Sequence, residues 1–235
     1  MKRLAVLVAA AALITLTPVA VSGARAVPVK RVRFGVARNW AGYAATGGPF
    51  TSVSTTWTEP SIPCGANEHS AFASFAGIDG DGSSTVEQIG SLDTCRNGTV
   101  RHKGFFEMYP QSAFRIAKRL RGGDSLTASV TFNGGSTFTL TLVNHTAGWT
   151  FTTQQQSSQA QRRSAEAIVE APTVSGRILP LSNFGQVNYS ATTANGQPLA
   201  NFNPEAVTMV TNTGAVKAQP TGISGGSFSV IWHHS

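Results

Sequence analysis

What most restricts the fold of this chain is a recurring unit. Short runs rich in β-branched and aromatic residues are separated, in most cases, by glycine, proline or Asp/Asn/Ser clusters. Such runs cover residues 50–58, 71–76, 85–89, 104–109, 125–132, 137–143, 149–153, 165–170, 186–189, 206–211 and 227–232. Gly134-Gly135 sits between two of them and reads as a hairpin turn. The one helix-tolerant stretch, residues 154–163, is polar all round and reads as a loop. Many short strands at close spacing predict an all-β protein, an antiparallel sandwich or barrel. There is no internal repeat and no low-complexity linker, so residues 39–235 read as a single domain.

The N-terminus sets the compartment. Met1-Lys2-Arg3 is followed by an apolar run from Leu4 to Val21 and then by small residues at Ser22, Gly23, Ala24 and Ala26. That order marks a secretory signal peptide over residues 1–26, so a secreted, extracellular protein with no membrane attachment after cleavage is expected. Residues 27–38 are basic and aperiodic, an extended arm or short pro-segment. The formal charge is +7, but seven of the 18 basic residues precede Asn39, leaving 11 against 11 acidic ones. A nearly neutral folded part argues against a nucleic-acid partner. In an oxidising compartment the two cysteines, Cys64 and Cys95, are expected to form a disulfide.

Familiar hydrolase signals are missing. There is no G-x-S-x-G, no H-E-x-x-H and no Asp-Thr-Gly or Asp-Ser-Gly. Asp79-Gly80-Asp81-Gly82-Ser83 fails the EF-hand pattern, because Ser84 and Gly90 stand where Gly and Glu are needed; it reads as a turn held by Asx hydrogen bonds. No metal site is expected. Carboxylates are scarce, so each counts. Period-2 alternation puts Glu166, Ile168 and Glu170 on one face of a strand, with Ala167 and Val169 on the other. In a groove, partial burial would raise such a carboxyl's pKa and make it a usable acid or base. Glu107, between Phe105-Phe106 and Met108-Tyr109, raises the same question.

Seven motifs then stand in register: Asn39-Trp40-Ala41-Gly42-Tyr43, the segment 50–60 ending Trp57-Thr58-Glu59-Pro60, Gly77-Ile78-Asp79-Gly80-Asp81-Gly82, Val86-Glu87-Gln88-Ile89-Gly90, Phe106-Glu107-Met108-Tyr109-Pro110, the segment 165–172, and Asn183-Phe184-Gly185. Together they resemble the glutamic peptidases, or eqolisins, and their bacterial branch in particular. The resemblance implies two packed, curved antiparallel sheets with a concanavalin A-like, lectin-like jelly-roll form. It implies a catalytic pair at Gln88 and Glu170, and a substrate groove around Trp40, Phe75, Asp79, Gly80, Phe105, Glu107 and Tyr109. Protein or peptide substrates, a monomer and no cofactor go with it.

The chemistry suits those residue types. Glu170 as carboxylate would take a proton from water, and Gln88 would offer an amide N–H to the oxyanion. Phe75 and Phe105 stand where the family usually has tryptophan, and Ala167 where it has a bulky aromatic. Lys103 replaces an acid of the eukaryotic members, and a lysine near the groove is expected to favour ionised carboxylates. Two competing readings are a non-catalytic lectin-like module binding carbohydrate or peptide, and a two-carboxylate glycosidase using Glu107 and Glu170.

Overall fold

The computed structural model describes residues 33–235. The signal sequence assigned to residues 1–26 and the first part of the basic arm, 27–32, lie outside the described residues. Each of the eleven anticipated runs forms a strand. In β3 (Ser52–Thr58), β8 (Ser125–Gly134) and β9 (Thr137–Asn144), buried apolar side chains alternate with serine and threonine on the other face. This is the pattern of a sheet with one face on the core and one in water.

One layer follows the hydrogen-bonded order β10 (Trp149–Gln156), β9, β8, β3, β14 (Gln186–Ala194), β18 (Phe228–Trp232). The other runs β17 (Val216–Pro220), β16 (Glu205–Val210), β2 (Trp40–Thr46), β11 (Ser164–Glu170), β4 (His69–Asp79), β5 (Val86–Arg96), β6 (Thr99–Tyr109), β7 (Phe114–Ile116). Because β17 and β18 also pair, the two layers are one ribbon folded over, with β4, β5 and β11 packed on β3, β8, β9 and β14. Trp57, Phe72, Phe138, Leu140 and Tyr189 fill the space between them. β12 (Thr173–Val174) and β13 (Arg177–Ile178) make a separate hairpin, and β15 (Gln197–Pro198) extends the edge of β14.

Four details differ from the sequence reading. The sheet is not wholly antiparallel: β1 (Arg33–Ala37) runs parallel to β16. The two-residue link Arg38-Asn39 carries the chain across β16 to β2 on its other side. Part of the supposed arm is therefore a strand. Gln154 to Gln156 continue β10, because each has a partner on β9. The hairpin after β8 turns at Gly135-Ser136, one residue later than expected, with a register shift at Phe132/Gly134. Finally, β5 and β6 run far beyond the stretches anticipated for them, joined at Asn97-Gly98, where both residues have positive φ. An Asn-Gly pair is a strong two-residue hairpin signal. The expected disulfide is present, Cys64 to Cys95, tying the loop before β4 to the end of β5.

β4 and β11 are buried on both faces almost throughout. Their inner side chains join the main core. Their outer ones, Ala73, Phe75 and Ile168, form a second small cluster with Phe105, Trp40 and Leu92. This second cluster is the floor on which the groove is built.

Candidate active site

Antiparallel register places the polar residues on that outer face. Glu170 lies opposite Trp40 of β2 and Ala73 of β4, while Gln88 lies opposite Gly77 of β4 and Glu107 of β6. Gln88 and Glu170 both open into one groove of about 710 Å³, together with Trp40, Gly80, Phe105, Glu107 and Tyr109. Ala73, Leu92 and Val86 add apolar surface, and Gly35, Val36, Ala37, Glu205 and Val207 supply the wall on the β1–β16 side.

The polar groups are already organised. Gln88, 4% exposed, donates from Nε2 to Glu107 Oε2 at 2.6 Å. Its Oε1 has no hydrogen-bond partner within the protein. Asn39 Nδ2 donates to Glu170 Oε1 at 2.9 Å, and the Asn39 carbonyl accepts the next backbone N–H, that of Ala171. Burial, and then the charge of Glu107, push the Glu170 carboxyl from its ordinary 4.5 to about 7, with donors from Trp40 and Asn39 pulling partly back. Burial also raises Glu107, against the pull of the Gln88 amide. The groove thus holds a carboxyl brought to about 7 and an amide with an N–H to offer, Glu170 standing opposite Ala73 of β4 and Gln88 opposite Gly77, four residues further along the same strand.

Two of the anticipated groove residues take other positions. Phe75 is fully buried beneath the groove and meets Trp40 edge-on, ring centres 5.7 Å apart; it supports the floor without lining it. Asp79 is fully buried and does not line the groove. Its carboxylate accepts the backbone N–H groups of Gln161 and Arg162 at Oδ2 and of Arg163 at Oδ1, at 2.9, 2.7 and 2.9 Å. Asp79 is a clamp on the loop leading into β11. The turn after it is held by Ser83, whose hydroxyl accepts from Gly80 N and donates to the Thr85 carbonyl. Gly80 itself has a steric reason to be glycine, since a Cβ there would lie 2.5 Å from the Trp40 indole at a φ of +107°.

Lys103 stands on the groove face of β6, two residues from Phe105 and opposite Leu92. It does not line the groove, and burial followed by the charges of Arg115 and Arg101 lower its pKa.

Sequence reasoning missed three contributors. Asn39 was visible only as the first letter of a motif. The β1–β16 wall was invisible, since its register joins residues about 170 apart. Glu166 was placed on the correct face but given no surroundings. It is fully buried and both of its oxygens lack partners. The carboxyl lies over Gly77, where a Cβ would sit 3.0 Å from Glu166 Oε1 and 3.5 Å from Gln88 Cβ. Burial pushes it well above the usual carboxylate range, with the Ser164 side chain pulling partly back.

Solved structures of this form carry the same class of fold. Two structures of scytalido-glutamic peptidase, one with a peptide-based transition state analog and one with a transition state analog inhibitor, are each 24% identical to this chain. They match with TM-scores of 0.72 and 0.74 over 83% of this chain and 98% of theirs. SCP-B, of the eqolisin family and in complex with the tripeptide Ala-Ile-His, is 23% identical with a TM-score of 0.69 over the same shares. Among curated sequences, Aspergillopepsin-2 of Aspergillus niger is 24% identical over 218 residues, 83% of this chain and 77% of that protein. The fold class is therefore the β-sandwich of the glutamic peptidases.

Residues 38–232 match the Peptidase A4 family, and the chain belongs to that family. It is a glutamic-type endopeptidase.

Proposed function

We propose that hydrolysis runs on Glu170 and Gln88, with water as the nucleophile. The observation that carries this reading is that Glu170, brought to about 7, shares its cavity with the Gln88 amide. As carboxylate, Glu170 takes a proton from water while the oxygen attacks the scissile carbonyl carbon. The carbonyl electrons move to oxygen, where a Gln88 N–H stabilises the charge. Protonated Glu170 then gives its proton to the amide nitrogen as the C–N bond breaks, leaving a carboxylic acid and an amine. Glu107 holds one Gln88 N–H and so orients the other. Glu107 is also the charged neighbour that, after burial, raises Glu170.

The groove's lining suits an extended peptide. Apolar side chains from Trp40, Leu92, Phe105, Val36 and Val207 line it together with Glu107, Glu205 and Tyr109. The peptide-based analog in scytalido-glutamic peptidase and the tripeptide in SCP-B support a peptide ligand here. Assignment to the bacterial branch rests on the wording of the seven motifs. Export rests on the N-terminal signal pattern. Among the described residues no helix is long and apolar enough to cross a membrane.

The test is kinetic. Glu170→Gln removes the base and is expected to abolish turnover on an unfolded protein substrate. Gln88→Ala removes one oxyanion donor and is expected to lower kcat by about 10²–10³ with little change in KM. Retention of kcat within about tenfold in either folded variant would overturn the assignment.

A further inference from the structure

The face of β5 and β6 turned away from the groove carries a second polar cluster that peptide hydrolysis does not use. Asp93 and His102 lie directly opposite each other on these strands, and His102 Nδ1 is 2.7 Å from Asp93 Oδ2. Glu59, just past the end of β3, comes in from the other layer, with its Oε2 accepting from Trp57 Nε1 at 2.9 Å. One donor atom from each of Glu59, Asp93 and His102 falls within 4.8 Å of the other two. Glu59 and Asp93 are 1% and 0% exposed, and the His102 side chain, at 16%, gives the cluster its one edge toward solvent.

Glu59 Oε1, Asp93 Oδ1 and the hydroxyl of Ser91, which is fully buried and on the same face of β5, find no hydrogen-bond partner outside this cluster; Ser91 and Asp93 lie against the Glu59 carboxyl itself. Orphaned buried oxygens are costly, more so on carboxylates. Nearby Asp124 does not relieve them; its Oδ2 is taken by Asn144 Nδ2 and the Arg121 backbone N–H. No lysine or arginine pairs with either carboxyl among the described residues.

We propose that Glu59, Asp93 and His102 form a binding site for a divalent first-row transition cation, Zn²⁺ being the best fit, with Ser91 or a water completing the shell. Two carboxylates and one imidazole are a donor set that zinc accepts, and the ion's charge balances theirs. In tetrahedral geometry, bonds of about 2.0–2.2 Å put donors about 3.3–3.6 Å apart, which small side-chain rotations reach from the present spread. The ion would be structural. It would clip the end of β3 to the β5–β6 hairpin, whose opposite face carries Gln88 and Glu107, close to the Cys64–Cys95 bridge. The site departs from the sequence expectation of no metal, because residues about 40 positions apart meet only across the sandwich.

The experiment uses the full chain with His233→Ala and His234→Ala, so that the terminal histidines do not bind metal. The protein is stripped with chelator, then titrated with Zn²⁺ and with Co²⁺ as a spectroscopic probe at neutral pH. One equivalent of bound metal is expected. At about 100-fold excess over Kd the Tm is expected to rise by roughly 5–10 °C. Asp93→Asn and His102→Ala are expected to weaken binding more than tenfold; His102 is partly exposed, so its variant keeps the fold if the Asn variant does not. Absence of a bound equivalent in the parent would overturn the proposal and mean that the carboxyls carry protons instead. Undiminished binding in a folded variant would overturn it equally, placing the ion elsewhere.

Discussion

Asp79 separates two accounts of the same motif. As a groove residue it would touch substrate; in the structure it holds a loop. Asp79→Ala removes the acceptor for three backbone N–H groups, those of Gln161, Arg162 and Arg163. A hydrogen bond to a charged acceptor contributes about 1.5–3 kcal/mol. Gln161 and Arg163 are exposed residues, so water can replace part of the loss. The net cost is about 3–5 kcal/mol, toward the lower end of three such bonds. For a domain of this size each kcal/mol lowers Tm by about 2–4 °C, so a fall of roughly 10 °C is expected. Asp79→Asn keeps one acceptor oxygen and is expected to cost about half as much. The assays are calorimetric unfolding and steady-state kinetics on a peptide at 25 °C. Per folded molecule, KM should stay within about threefold of the parent. A Tm unchanged while KM rises more than tenfold would refute the clamp and return Asp79 to the substrate.

Three further outcomes are expected. In the pH profile of kcat/KM, the limb that reports the base should rise through about pH 7, the value to which burial and Glu107 bring Glu170; Glu107→Gln removes a charge that raises it, so the limb should move to lower pH, and an upward shift would contradict the coupling. Stability should fall as pH rises from about 4.5 to 7 in the presence of chelator. Glu87 and Glu170, both brought to about 7, and Glu166, also raised by burial, bind protons in the folded state that the unfolded chain has released; each contributes up to about 1.4 kcal/mol per pH unit in that window, and a Tm that climbs between pH 4.5 and 7 would exclude this. Replacing both cysteines by serine opens a loop of sequence separation 31 and should cost about 3–4 kcal/mol on the chain-entropy estimate, read as a Tm loss of roughly 7–15 °C; a Tm within about 2 °C of the parent would count against it.

Local chemistry alone settled a good deal. Alternation of Leu126, Ala128 and Val130 with serine and threonine specifies a half-buried strand whatever it packs against. The same period put Glu166 and Glu170 on one face, and the structure keeps them there. Glycine, proline and Asx punctuation located the strands, though Asn97-Gly98 was passed over as a turn and residues 154–156 as strand.

What one sequence could not decide is which strand lies beside which, because pairing is set by burial and register over the whole molecule. The parallel β1–β16 wall of the groove joins residues about 170 apart. Burial decided among three fates for chemically similar acids. Glu170 reaches the groove with a donor from Asn39, whereas Asp79 is spent on three backbone amides and Glu166 is sealed below. A side chain's type fixes what it can do; its desolvation and its partners, which exist only once the ribbon folds over, fix which of those things it does.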